Sequence, residues 1–94
     1  MFVLLLTYTK PLAEVDALMR AHVAWLDEQY AAGRFLVSGR RIPRTGGVIL
    51  ARGDDRAEIE ALAATDPFVS GGVATCEVIQ FRASQSAAAL DGLL

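Results

Sequence analysis

The order of strand-like and helix-like segments in this chain is β-α-β-β-α-β. That order predicts an α+β fold, the ferredoxin-like βαββαβ sandwich, in which a four-stranded antiparallel sheet carries both helices on one face. Three observations support it. Two runs of consecutive apolar residues, at 2–6 and 48–51, read as interior strands. A long segment at 11–32 repeats its apolar residues at helical spacing. Prolines and paired glycines fall between the segments, where the chain must turn.

Taken in order, Phe2 to Leu6 run apolar into Thr7 and Tyr8, as expected of a strand buried on both faces. Pro11 suits the first turn of a helix, where its missing N–H costs nothing, and Gly33 is a natural residue to end that helix. On a helical wheel Val15, Leu18, Met19, Val23, Trp25, Leu26 and Tyr30 share one face, with His22 in its middle. A second strand starts at Phe35 and continues toward Ile42, and Gly39 within it suggests a bulge or a close approach to the backbone. Arg44, Thr45, Gly46 and Gly47 form a hairpin turn before the third strand at 48–51. Asp55 with Glu58 reads as a capping box opening a short helix, which ends near Thr65 because Asp66 precedes Pro67. The fourth strand covers 73–82. Residues 83–94 are small and polar until Leu90, Leu93 and Leu94, and form a tail or arm outside the domain at 1–82.

Composition narrows the function classes. Ninety-four residues allow one small domain. Hydrophobic residues make up 53% and mean hydropathy is +0.35, which excludes disorder and collagen. Nine basic against eleven acidic residues give a net charge of −2, too small for nucleic acid to be the default partner, and seven aromatic residues make a base-stacking surface improbable. Cys76 is the only cysteine, so there is no internal disulfide and no second thiolate for zinc; it reads as a small core residue. The first ten residues are too short and insufficiently apolar for a signal peptide or a membrane span. The expectation is a cytoplasmic protein with no membrane partner, no metal and no cofactor. Only one face of an interior strand can be covered by the helices, so the other face calls for a second copy: a homodimer formed sheet on sheet.

Chemistry concentrates around His22. A histidine on an apolar helical face needs a polar partner, and the topology delivers Asp66 to the edge of the sheet where the long helix begins. An Asp66–His22 pair would fix one imidazole tautomer and leave the other nitrogen free to exchange a proton with a bound molecule. The plain alternative is a satisfied core histidine and an aspartate that only ends a helix. Ser38 and Gly39 lie beneath the long helix, where the hydroxyl and backbone N–H groups can hold a substrate oxygen, or where the serine is merely solvated. Tyr8 is either a donor to a ligand or the polar tip of a core residue. Arg34, Arg40, Arg41, Arg44 and Arg52 occur without an intervening acidic residue, and either bind an anion or form the wet side of a hairpin.

His22 in the first helix, the stretch Gly33-Arg34-Phe35-Leu36-Val37-Ser38-Gly39, and Asp66-Pro67-Phe68 followed by Gly71-Gly72-Val73 resemble the YCII-related (YciI-like) family of small bacterial proteins. The resemblance covers about residues 1–82. It implies a dimeric α+β barrel of ferredoxin-like subunits with a cleft whose active-site histidine and aspartate map onto His22 and Asp66, with Ser38 as a cleft neighbour. It also implies that one characterised relative eliminates chloride from a chlorinated hydroquinone-type substrate. The arginine-rich hairpin is not part of the resemblance. Together these features suggest a cofactor-free lyase or isomerase in which His22, oriented by Asp66, moves a proton on a small cyclic or aromatic metabolite. Ser38, Gly39, Tyr8 and Arg34 would bind that substrate. The competing class is a small-ligand-binding or regulatory module that performs no reaction.

Overall fold

A computed structural model describes residues 1–93. The elements run β1 Phe2–Tyr8, α1 Leu12–Ala17, α2 Met19–Ala31, β2 Phe35–Arg40, β3 Gly46–Ala51, α3 Arg56–Ala63, α4 Pro67–Ser70 and β4 Ala74–Gln80. A short 3₁₀ turn, Ala88–Leu90, follows in the tail. Leu94 lies outside the described residues.

The four strands form one antiparallel sheet in the order β2-β3-β1-β4, the ferredoxin-like arrangement expected. Alternation sorts β1 into two faces. Phe2, Leu4 and Leu6 point into the core with Ile49 and Ala51 of β3, while Val3 and Leu5 point the other way and are only half-buried. Opposite the sheet, Val15, Trp25, Ile59 and Phe68 complete the core from the helices. The apolar runs are therefore sealed on one face only within a single chain. On the other face Val37, Val48 and Ile79 are 58%, 38% and 40% exposed.

The long helix expected at 11–32 is two helices. It breaks at Leu18, whose N–H bonds the Val15 carbonyl at 3.0 Å in a tight three-residue closure and whose side chain packs against Gly71. Neither proline nor glycine marks this break, so only packing explains it. The buried positions of α2 are His22, Trp25 and Gln29, and Val23 and Tyr30, assigned to the core face by the wheel, are exposed. Gly33, at φ 74, ends α2 as anticipated, with the Arg34 N–H bonded to the Gln29 carbonyl.

The bulge in β2 is also displaced. It falls between Phe35 and Val37, not at Gly39. Leu36 is the extra residue, and its insertion inverts the alternation of everything after it. Ser38 pairs with Ile49, and Arg40 with Gly47, so both share the helix-covered face. Without the bulge they would lie on the open face.

Asp55 caps α3 by accepting the Glu58 N–H at 3.2 Å. After α3 the chain makes an additional helical turn that was not expected, α4, begun by Asp66 and Pro67. β4 is shorter than the span 73–82. The tail carries its apolar residues outward, with Leu90 and Leu93 41% and 39% exposed.

Candidate functional site

The site is built from the ends of four elements. Asp66 lies at the start of α4, where its Oδ1 accepts the Phe68 N–H at 2.9 Å and so closes the helical turn. The same oxygen meets Nδ1 of His22 at 2.7 Å. Asp66 is 1% exposed and His22 9%. An ionised carboxylate can only accept, so Nδ1 is the donor, and in the neutral imidazole Nε2 then carries the lone pair. Nε2 has no protein partner among the described residues, yet it is not sealed in. By contrast, Asp66 Oδ2 is buried and has no hydrogen-bond partner among the described residues.

Aromatic rings hold the imidazole. Phe68 stacks on it at 3.8 Å between centroids and 7° between planes, and Trp25 lies 6.0 Å away on a 30° incline. Trp25 is itself tied down, its Nε1–H donating to Thr65 Oγ1 at 2.9 Å. The same turn that supplies Asp66 thus supplies the ring that fixes the orientation of His22.

His22 and Phe68 line a cleft of about 180 Å³ between α2 and the hairpin end of the sheet. That is smaller than the roughly 300–1,000 Å³ of sites for drug-sized ligands. Tyr8, Ser38, Gly39, Arg40 and Arg44 also line it. Tyr8 reaches the cleft because its N–H bonds the Thr45 carbonyl, which ties the end of β1 to the hairpin loop. Ser38 Oγ shares a 2.5 Å hydrogen bond with the Tyr30 hydroxyl. Gly39 contributes backbone, and a Cβ there would meet nothing within 4 Å.

Of the residues suggested by the sequence, the fold brings His22, Asp66, Tyr8, Ser38 and Gly39 together. Arg34 is not among them. It lies with Arg52, Asp54, Asp55 and Glu58 around a separate hollow of about 80 Å³. The reason is its position before β2, at the opposite end of that strand from the cleft. The arginine stretch is thereby divided, with only Arg40 and Arg44 at the cleft. Arg44 Nη2 donates to Asp16 Oδ1 at 2.5 Å, and its guanidinium carbon lies 6.0 Å from the Tyr8 ring centre. The bond to Asp16, with Tyr8 adding to it, raises the guanidinium further above its ordinary value.

Phe68, Tyr30 and Asp16 are functional candidates that sequence reasoning missed. Phe68 follows the Asp-Pro pair, but nothing in its identity signals a stack on a residue 46 positions earlier. Cys76 is half-buried outside the cleft, and burial, then the charge of Asp66, pushes its thiol up to about 11. Among the described residues, no three His, Cys, Asp or Glu side chains gather as a metal-binding group, and no helix is long and apolar enough to cross a membrane.

The fold and this inward-facing histidine define a class of small α+β domain, and comparison with known proteins agrees with it. The family profile of the YCII-related domain matches residues 1–82, and the chain belongs to that family. Among solved structures it is similar to 5-chloro-2-hydroxyhydroquinone dehydrochlorinase (TftG) from Burkholderia phenoliruptrix AC1100, in complex with 2,5-dihydroxybenzoquinone. The TM-score is 0.68 at 20% identity, over 87% of this chain and 94% of that one. At that identity the likeness establishes the shared fold. No curated protein matches the chain.

Proposed function

We propose that this protein is a cofactor-independent enzyme that transfers a proton on a small cyclic or aromatic molecule, with His22 and Asp66 as its catalytic dyad. The observation that carries the proposal is the buried 2.7 Å bond from His22 Nδ1 to Asp66 Oδ1, which leaves Nε2 as the basic nitrogen at the cleft. Nε2 takes a proton from an acidic C–H or O–H of the ligand, and the imidazolium so formed is stabilised by the Asp66 carboxylate. Returning that proton to another atom completes an isomerisation. Departure of a leaving group with its bonding electron pair completes an elimination instead. Ser38, aligned by Tyr30, donates to the ligand oxygen on which negative charge develops. Tyr8 borders the same space.

The dehydrochlorinase named for the similar structure supports elimination as one form of the reaction. We further propose that the open sheet face, with Val37, Val48 and Ile79 exposed, docks on the same face of a second copy.

The test is a panel of halogenated and hydroxylated cyclic compounds, including 5-chloro-2-hydroxyhydroquinone, incubated in D₂O and followed by NMR and by halide release. Wild-type protein is expected to exchange a proton for deuterium or to eliminate halide, and His22→Ala or Asp66→Asn to slow this by about 10²–10⁴-fold with the fold retained. Equal rates for wild type and His22→Ala overturn the dyad. Saturable binding with every ligand recovered unchanged and undeuterated assigns the protein to the non-catalytic binding class.

A further inference from the structure

We propose that the cleft selects a planar organic anion, a carboxylate or a phenolate, and that Arg44 and Arg40 are the residues that determine this preference. The inference rests on the reading of the cleft as the ligand site and adds the chemical class of the ligand. It begins from a contrast of sign. The chain carries a net charge of −2, yet the residues lining the cleft include two arginines and His22 and no aspartate or glutamate. The nearest buried carboxylate, Asp66, is 1% exposed, and its Oδ1 is occupied by His22 and the Phe68 N–H, so it stands behind the imidazole.

Arg44 is positioned without being consumed. Its side chain is 25% exposed, held between Asp16 and the Tyr8 ring. The contact with Asp16 involves one nitrogen and one oxygen, whereas a guanidinium has five N–H donors. Asp16 is itself 55% exposed, so water screens its charge and the arginine stays effectively cationic toward the cleft. A single anchoring bond of this kind sets the direction of the fork and leaves donors available for a ligand.

Arg40 makes a complementary contribution. It ends β2 opposite Gly47, and the bulge at Leu36 sets it on the same sheet face as Ser38. Among the described residues its guanidinium has no hydrogen-bond or ion-pair partner. Arg40 thus borders the hairpin loop and Arg44 lies within it, both lining a cleft with apolar walls formed by Leu6, Met19, Leu26 and Ile49. A planar fork matches a planar oxyanion in two parallel bonds, and the apolar walls accept the ring that carries it. The partly enclosed space strengthens the ion pair relative to open water.

Benzoate and benzamide, which differ in charge but hardly in shape, are the probes, titrated at neutral pH and low salt with Trp25 fluorescence and calorimetry as readouts. Trp25 is the only tryptophan and lies beside His22. Wild-type protein is expected to bind benzoate about tenfold or more tightly than benzamide, the gain of one charge-assisted bond pair. Added salt should erode this preference. In the Arg40→Gln/Arg44→Gln double variant the two affinities should converge to within about twofold, while Arg44→Lys keeps part of the preference. The charge-matched control Arg34→Gln/Arg41→Gln, altered away from the cleft, should keep all of it. Equal affinities in the wild type, absence of saturable benzoate binding, or a preference that survives in the double variant overturns the proposal. Because the readout is equilibrium binding, its failure leaves the proton-transfer reading standing, and failure of that chemistry leaves the anion preference standing.

Discussion

Asp66 is where one residue serves two structural purposes through a single oxygen. Its Oδ1 caps α4 and holds His22, so removing the side chain removes both contacts at once. Loss of the cap costs about 1 kcal/mol, and a buried imidazole left without its partner costs about 1–3 kcal/mol more. Asp66→Ala is therefore expected to lower unfolding free energy by about 2–4 kcal/mol in urea titration. Loss of less than about half a kcal/mol would mean that the buried bond is not formed in solution. Cys76 provides a separate test, of pH dependence. Its thiol is raised from 9.0 to about 11 in the folded chain, chiefly by burial. The folded state then holds the proton that the unfolded state releases first, so this stabilisation is complete below pH 9 and is lost as the pH rises toward 11. Iodoacetamide should accordingly react slowly with the native protein at pH 8, with the rate climbing toward pH 11. Rapid alkylation of the folded protein at pH 8 would contradict the burial of this thiol.

At the scale of elements, the β2 bulge and the close pairing of β1 with β3 decide which side chains reach the cleft. One extra residue, Leu36, turns Ser38 and Arg40 to the helix side. The β1–β3 pairing tolerates no such insertion of atoms at Gly46. A Cβ at Gly46 would sit 1.8 Å from the Leu6 carbonyl oxygen, and backbone cannot step aside as a flexible side chain can. Gly46→Ala is expected to destabilise the fold by about 3 kcal/mol or more, or to prevent folding, as seen by thermal denaturation. Gly39→Ala on the neighbouring strand, where a Cβ meets nothing within 4 Å, should change the melting temperature little. Equal melting temperatures for the two variants would show that the strands are not paired in this register.

For the whole molecule, the unfinished feature is the open face of the sheet. Val37, Val48 and Ile79 are exposed there, and half-buried Val3, Leu5 and Leu50 lie between them. Contiguous apolar surface of several hundred Å² is uncommon on monomers and suits a self-complementary contact. Light scattering is expected to give about twice the chain mass of 10.1 kDa, and Val48→Lys to reduce it to one chain mass without loss of helix signal. A wild-type mass of one chain at micromolar concentration would rule the dimer out.

The fold and part of the cleft were legible in the sequence because they depend on local rules. Apolar runs specify the two central strands, Pro11 and Gly33 bracket the first helical segment, and Asp55 and Asp66 sit where helices need side-chain acceptors. The pairing of His22 with Asp66 could also be anticipated, since a polar residue on an apolar face needs a partner and the topology offers few. What the sequence could not determine depends on contacts across the fold. The break at Leu18 follows packing against Gly71, the bulge at Leu36 follows strand register, and the separation of Arg34 from Arg40 and Arg44 follows the length of β2. The stack of Phe68 on His22 belongs to the same group. Local propensity and periodicity decide which elements form, but which side chains share a cleft is settled only when distant segments pack, because close packing admits one register and one set of neighbours.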